Sequence, residues 1–371
     1  MESKCTFFDF FSDLPDPRIQ RCRKHDLLDI LFLSVCAVLS GAEGWECIVG
    51  FGHAKLEWLR RFVPLEHGIP SDDTIARVIS RLDSEAFNRS FLGWVQAVAP
   101  QPAGDVIAID GKTIRRSFDS AREVHALHMV SAWSCANRLV LGQQRTSEKS
   151  NEITAIPALL YLLTLNGCIV TIDAMGCQKH IASHIRDKRG HYVLAFKKNQ
   201  KHLYEDIQDA FEVGTLAQKA AYVEALDKGH GRIERRCCWV LDAKKAPEAI
   251  LWPGAKSVVK IQCERHIGDK TTRETRYFIS SLGREPEQIL AAVRCHWEVE
   301  NVLHWVLDVS FREDDSRIRR EQAAENMGVL RKMARNICQK TPTKHSNKMK
   351  IRVCGWDDNF REKMIFGFAK S

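Results

Sequence analysis

The chain has no apolar run long enough to cross a bilayer. Its longest, residues 27–39, carries Asp29 and falls short of the roughly 20 residues that a spanning helix needs. The opening Met1-Glu2-Ser3-Lys4-Cys5 lacks the basic-then-apolar layout of a signal peptide, so a cytoplasmic protein without a membrane partner is expected. There is no Cys-x-x-Cys among the 13 cysteines, and Cys237-Cys238 is their only close pair. Zinc fingers and disulfide frameworks need paired ligands at fixed short spacings, so reduced thiols are expected instead. Internal repeats and low-complexity tracts are also missing. With 44% hydrophobic and 27% charged residues, the composition excludes a disordered, collagen-like or coiled-coil protein. At 371 residues the chain has ample material for a core and for two to three domains at about 150 residues each.

One absence concerns charge. No acid lies between Glu325 and Asp357, while Arg331, Lys332, Arg335, Lys340, Lys344, Lys348, Lys350 and Arg352 all fall there. A second basic cluster, Arg18, Arg21, Arg23 and Lys24, lies near the start, and the whole chain carries a net +8. Such stripes suit a phosphate backbone, where each cation displaces a condensed counterion.

Residues 1–100 read as helical, with helices over 27–39, 45–62 and 83–98. Pro70-Ser71-Asp72-Asp73-Thr74 offers capping residues for another at 75–79. Short helices joined by tight turns suit a helix-turn-helix DNA reader and a small bundle equally. Pro100-Gln101-Pro102-Ala103-Gly104 marks a linker. Beyond it, β-like runs at 106–109, 129–133, 139–142, 168–172 and 192–196 alternate with helical stretches at 152–165 and 178–188. That order predicts an α/β fold, a mixed sheet with helices on its faces. Residues 201–284 hold a helix near 203–213 and three strands at 235–241, 257–264 and 275–280, an inserted β-rich subdomain. A long helix begins at Pro286.

Two acids follow apolar strands: Asp110 after Val106-Ile107-Ala108-Ile109, and Asp173 after Ile169-Val170-Thr171-Ile172. Ligands of open α/β sheets bind at the carboxyl ends of strands. Two acids there suit one hard cation. On the long helix the apolar stripe runs Ile289, Val293, Trp297, then Glu300, His304 and Leu307, at spacings of three and four. Glu300 thus interrupts an apolar face, where an unpaired carboxylate is costly. Glu298 points elsewhere, beside Arg294. His296, Glu300 and His304 share one face, but positions eight apart lie about 12 Å apart, too far for one zinc.

Three segments carry a family likeness: Ala108-Ile109-Asp110-Gly111-Lys112-Thr113-Ile114-Arg115, Thr171-Ile172-Asp173-Ala174-Met175, and His296-Trp297-Glu298-Val299-Glu300-Asn301-Val302-Leu303-His304-Trp305. The chain resembles the DDE transposases, more narrowly the ISAs-type, or H-repeat-associated, insertion-sequence group. Asp16-Pro17-Arg18, Phe311-Arg312-Glu313-Asp314 and Gly355-Trp356-Asp357-Asp358-Asn359 extend the likeness over nearly the whole length. It implies a helical DNA-binding region over 1–100 and an RNase H-like catalytic domain over 104–371. That domain would have an insertion near 201–284 and a basic tail over 326–356.

By the same resemblance, Asp110, Asp173 and Glu300 are the catalytic triad and hold two magnesium or manganese ions. Double-stranded DNA, as element ends and target, is the implied partner, and a homodimer or higher assembly forms on it. The implied reaction is cleavage at the element ends followed by transfer of the 3′-hydroxyl into target DNA. Related transposases place Tyr-x2-Arg-x3-Glu-x6-Lys around the glutamate. Those flanking positions are Val293, His296 and Leu307 here, so His296 and His304 are candidates for the phosphate contacts, alongside Lys112, Lys197 and Lys198.

Overall fold

The computed structural model describes residues 7–118, 125–146, 152–212, 219–229 and 231–367. The opening Met1–Cys5 segment and Val213, at the end of one expected helix, lie outside them. The helices are α1 (Phe7–Phe11), α2 (Leu27–Leu39), α3 (Trp45–Ala54), α4 (Leu56–Leu59), α5 (Asp72–Arg81), α6 (Ser84–Val98), α7 (Glu152–Leu162), α8 (Lys179–Asp187) and α9 (Lys201–Glu212). After these come α10 (Pro247–Ile250), α11 (Pro286–Val299), α12 (Trp305–Phe311), α13 (Ala323–Lys340), α14 (Asn347–Trp356) and α15 (Asp358–Gly367). The strands are β1 (Val106–Thr113), β2 (His128–Ser134), β3 (Leu139–Arg145), β4 (Ile169–Ile172), β5 (His191–Phe196), β6 (Ala221–Gly229), β7 (Arg232–Asp242), β8 (Ser257–Ile267) and β9 (Lys270–Ser280). Among the described residues no helix is long and apolar enough to cross a membrane.

All nine strands form one sheet in the order β3-β2-β1-β4-β5-β9-β8-β7-β6. β1, β2 and β3 make an antiparallel meander, and β4 and β5 add in parallel on the other side of β1. This five-strand arrangement, with the later strands joined through helical crossovers, is the RNase H-like pattern. The expected insertion prolongs the same sheet: β9 pairs antiparallel with β5, and β8, β7 and β6 follow outward. β6 was not expected from sequence, because its Ala, Glu, Leu and Lys are good helix formers. Its alternation of half-buried and exposed residues is nonetheless a strand's.

Local chemistry explains the helix ends. Ser71 caps α5 by accepting from the Thr74 N–H, and Asp83 caps α6 by accepting from the Ala86 N–H. The helix expected over 45–62 is broken at Lys55 into α3 and α4.

Each sheet face has its own core. On one, Ile169, Val193, Val259 and Phe278 meet Ile289 and Val293 of α11. On the other, Val170, Ile172 and Leu194 join a large cluster that includes α7, α8, α13 and the N-terminal helices.

α13 sits at the centre of that cluster, and this corrects the reading of the basic stretch 326–356. Arg331, Lys332, Arg335 and Lys350 are buried rather than displayed. Lys350 donates to the Cys338 and Thr341 carbonyls, and Arg335 lies 4.3 Å over the Trp133 ring. The other four cations of the stretch, Lys340, Lys344, Lys348 and Arg352, are exposed or half-buried. The early cluster is partly internal as well, since Arg18 grips Asp16 at 3.0 and 2.8 Å.

Candidate active site

Strand register places the first two acids. The parallel ladder between β1 and β4 ends at the pair Ile109–Ile172. Asp110 and Asp173 are the next residue on each strand, so they stand side by side at about one inter-strand spacing, 4.8 Å. Asp110 does not end its strand as expected: β1 runs on to Thr113, paired with β2. The chain at Asp173 turns at once, and Asp173 Oδ1 accepts from the Met175 and Gly176 N–H groups at 3.0 and 3.4 Å.

The third acid comes from the helix that covers this face. α11 passes into one turn of π-helix, Glu300–His304, before α12 resumes. Such an extra residue per turn often marks a functional site. It also revises the expectation for Glu300. The buried series continues through Val299, Leu303 and Leu307, which leaves Glu300 exposed at the mouth of the site rather than on the apolar face. Glu298 is exposed too, 3.5 Å from Arg138.

Asp110, Asp173 and Glu300 all line one pocket of about 390 Å³, together with Lys197, Lys198 and His296. Burial, then the charges of Asp173 and Glu152, and more weakly that of Glu300, push the Asp110 carboxyl up to about 7. Burial is the largest cause, and the gathered carboxylates add to it. Hard oxygen donors of this kind suit magnesium or manganese. Among the described residues no three such side chains already form a ready-made cation cage. The pocket therefore fits an ion by donor chemistry and unbalanced charge, with water and phosphate oxygens left to complete its shell.

The remaining expected residues divide. Lys197 and Lys198 follow β5 and are exposed at the pocket. Lys112 does not line it, its ammonium held instead by Asp308 at 2.5 Å, Glu313 at 2.9 Å and Asp314 at 3.0 Å. His296 Nδ1 lies 3.1 Å from Thr171 Oγ1, tying α11 to β4, and His304 Nδ1 lies 3.5 Å from Asp110 Oδ2. Burial pushes both imidazoles down to about 4, so both are uncharged at neutral pH.

Two neighbours were not picked out from sequence. Glu152, in the first turn of α7, lies over Gly111, where a Cβ would meet its Oε1 at 2.0 Å. His128 Nε2 is 2.8 Å from that oxygen, and His128 Nδ1 is 2.8 Å from Thr113 Oγ1. An acid in a helix's first turn is ordinary, so the only sequence signal was the glycine after Asp110.

Comparison with known proteins identifies the family. Residues 8–95 match the family described as DDE_Tnp_1-associated, and residues 101–337 match the family described as Transposase DDE domain. Two relatives come from Escherichia coli. "H repeat-associated putative transposase YhhI" of strain K12 is 40% identical, covering 98% of each chain. "Putative transposase YncI" of O157:H7 is 46% identical over 90% of this chain and 87% of that one. The solved piggyBac transposase synaptic complex with hairpin DNA aligns over 98% of this chain and 76% of that one. Its identity is 9% and its TM-score 0.39, too low to bear on the fold. With the DDE domain matched over residues 101–337, more than half of the chain, and a relative 40% identical over 98% of each chain, the chain belongs to the DDE transposase family.

Proposed function

We propose that this transposase cuts DNA at the ends of a mobile element and joins the freed 3′-hydroxyl to target DNA, with Asp110, Asp173 and Glu300 as its catalytic carboxylates. One observation carries the reading: acids on β1, just after β4 and in the π turn line one pocket, where burial and neighbouring carboxylates push Asp110 up to about 7. Asp110, Asp173 and Glu300 would hold two magnesium or manganese ions, which would supply Lewis-acid stabilisation of the attacking and leaving oxygens.

The side chains do the rest. Lys197 and Lys198 hold the phosphate that enters the pocket, without reading sequence. His304, uncharged, orients the Asp110 carboxylate without neutralising it, and His296 fixes the helix that carries Glu300. Water attacks the phosphorus and displaces the 3′-oxygen of the element end. That oxygen then attacks a target phosphodiester and displaces a target 3′-oxygen. Neither step forms a protein–DNA bond. In this reading residues 1–100 supply DNA binding, 104–371 the chemistry, and the protein acts as a homodimer or larger assembly on DNA.

Asp173→Asn tests the assignment on a duplex carrying the element end, with magnesium present. Cleavage is expected to vanish while the gel shift persists. Continued cleavage would remove Asp173 from the site. Loss of the shift as well would make it a structural residue. Joining to a supercoiled target separates a transposase from an endonuclease with the same site.

A further inference from the structure

Half of the 326–356 cations are turned inward, and a second concentration of positive charge lies outside that stretch. Residues 312–322, between α12 and α13, run beside α3 and α5 and leave a groove of about 660 Å³ lined by Trp45, Ala76 and Arg312, Arg317, Arg319 and Arg320. Its two acids, Glu43 and Asp315, are taken up by Arg312 at 3.8 and 3.0 Å. Among the described residues no carboxylate pairs with Arg317, nor with Arg77, the neighbour of Ala76 on α5. Arg320 is exposed and meets only Glu321, at 3.6 Å.

The groove is continuous with the strand that carries Asp110. Past Thr113, β1 gives way to Arg115 and Arg116, and Arg319 donates through Nε to the Arg116 carbonyl at 3.2 Å. The Arg115 side chain is 82% exposed with Asp314 at 3.2 Å, and Arg116 lies 3.8 Å from Asp315. Arginines thus extend from the end of the active strand into a cleft between the N-terminal helices and the catalytic part.

We propose that this groove is a DNA-backbone track, in which Arg317 and Arg320 contact duplex phosphates on the path toward the pocket. The proposal rests on the reading of the protein as a DNA-acting transposase. Guanidinium groups suit phosphate oxygens through their planar, bidentate donors. Contacts of this kind raise affinity for any sequence and release counterions, so each one steepens the salt dependence of binding.

The test is fluorescence anisotropy of a labelled mixed-sequence duplex across a salt series. It uses the full chain, the double variant Arg317→Ala/Arg320→Ala, its Arg→Lys counterpart, and Lys244→Ala as an exposed control away from the groove. The alanine pair is expected to weaken binding at every salt concentration. The slope of log affinity against log salt should fall by about 0.9 per arginine. The lysine pair should restore most of that slope, because charge is retained, and Lys244→Ala should match wild type. Thermal melts confirm that each variant is folded. A wild-type slope in the folded alanine pair would overturn the groove, the more so if the pair instead changed oligomeric size, since the face would then be a protein contact. Failure of the wild type to bind duplex DNA would strike the functional reading itself.

Discussion

At the scale of single residues, the site is defined by charge that the fold leaves unbalanced. Asp110 is pushed up to about 7 by burial and by neighbouring carboxylates, so in the ion-free protein it keeps a proton that the unfolded chain releases near 4. The folded state therefore binds more protons between pH 4 and 7. Stability contributed by this residue is lost as pH rises through that window and stays lost above it. Asp110→Asn, which cannot ionise, should be more stable than wild type by up to a few kcal/mol at pH 8 without metal. The difference should close by pH 4, and urea melts at the two pH values check both points. Magnesium should raise the wild-type melting temperature by mass action and leave the variant unmoved. Glu313 behaves oppositely: burial pushes it up, but Lys332, Lys112 and Arg331 overcome this and hold it near 2. Glu313→Gln takes the nearest negative charge from buried Lys332 and Arg331, while Lys112 keeps Asp308 and Asp314, and should cost about 3–5 kcal/mol. Lys348→Ala, on an exposed side chain, should stay within about 0.5 kcal/mol in the same urea titration.

At the scale of elements, periodicity marked most strands and helices of the catalytic part, because the apolar runs at 106–109, 168–172 and 192–196 are buried on both sheet faces. It showed that Asp110 and Asp173 follow strands. It did not show that the strands are parallel neighbours, which depends on pairing between distant segments. The family likeness singled out Glu300, but the physical reason given for it fails. A regular helix would have put its carboxylate on the apolar stripe, and the π turn places it at the pocket mouth instead. The basic stripe was misread for a related reason: sequence records charge but not direction, and α13 is a core helix. The π turn makes its own prediction. Deleting Asn301, an exposed residue, would remove the extra residue of the turn, let it relax to α-helix and shift Glu300 relative to His304. The variant should fold, as judged by circular dichroism, but lose cleavage because Glu300 and His304 no longer face Asp110 together.

At the scale of the whole molecule, the N-terminal helices and the catalytic sheet share one apolar cluster running from Phe7 to Ile365, with α13 packed between α2, α5, α6 and β3. A fragment starting at residue 101 would expose the side of α13 that α2 covers. Compared with the full chain, it should melt at lower temperature and bind a hydrophobic dye. The same long-range assembly brings β1, β4 and the π turn to one pocket from positions almost 200 residues apart. The claim that this convergence is the active centre is tested most directly by comparing two glutamates two positions apart, Glu298 and Glu300. Each is changed to Gln, and cleavage of end-containing duplex DNA with magnesium is measured on the purified, folded variants. The account predicts that Glu300→Gln abolishes cleavage, while Glu298→Gln loses only an exposed pair with Arg138, worth about 0–1 kcal/mol, and keeps most activity. An active Glu300→Gln beside a dead Glu298→Gln would contradict it.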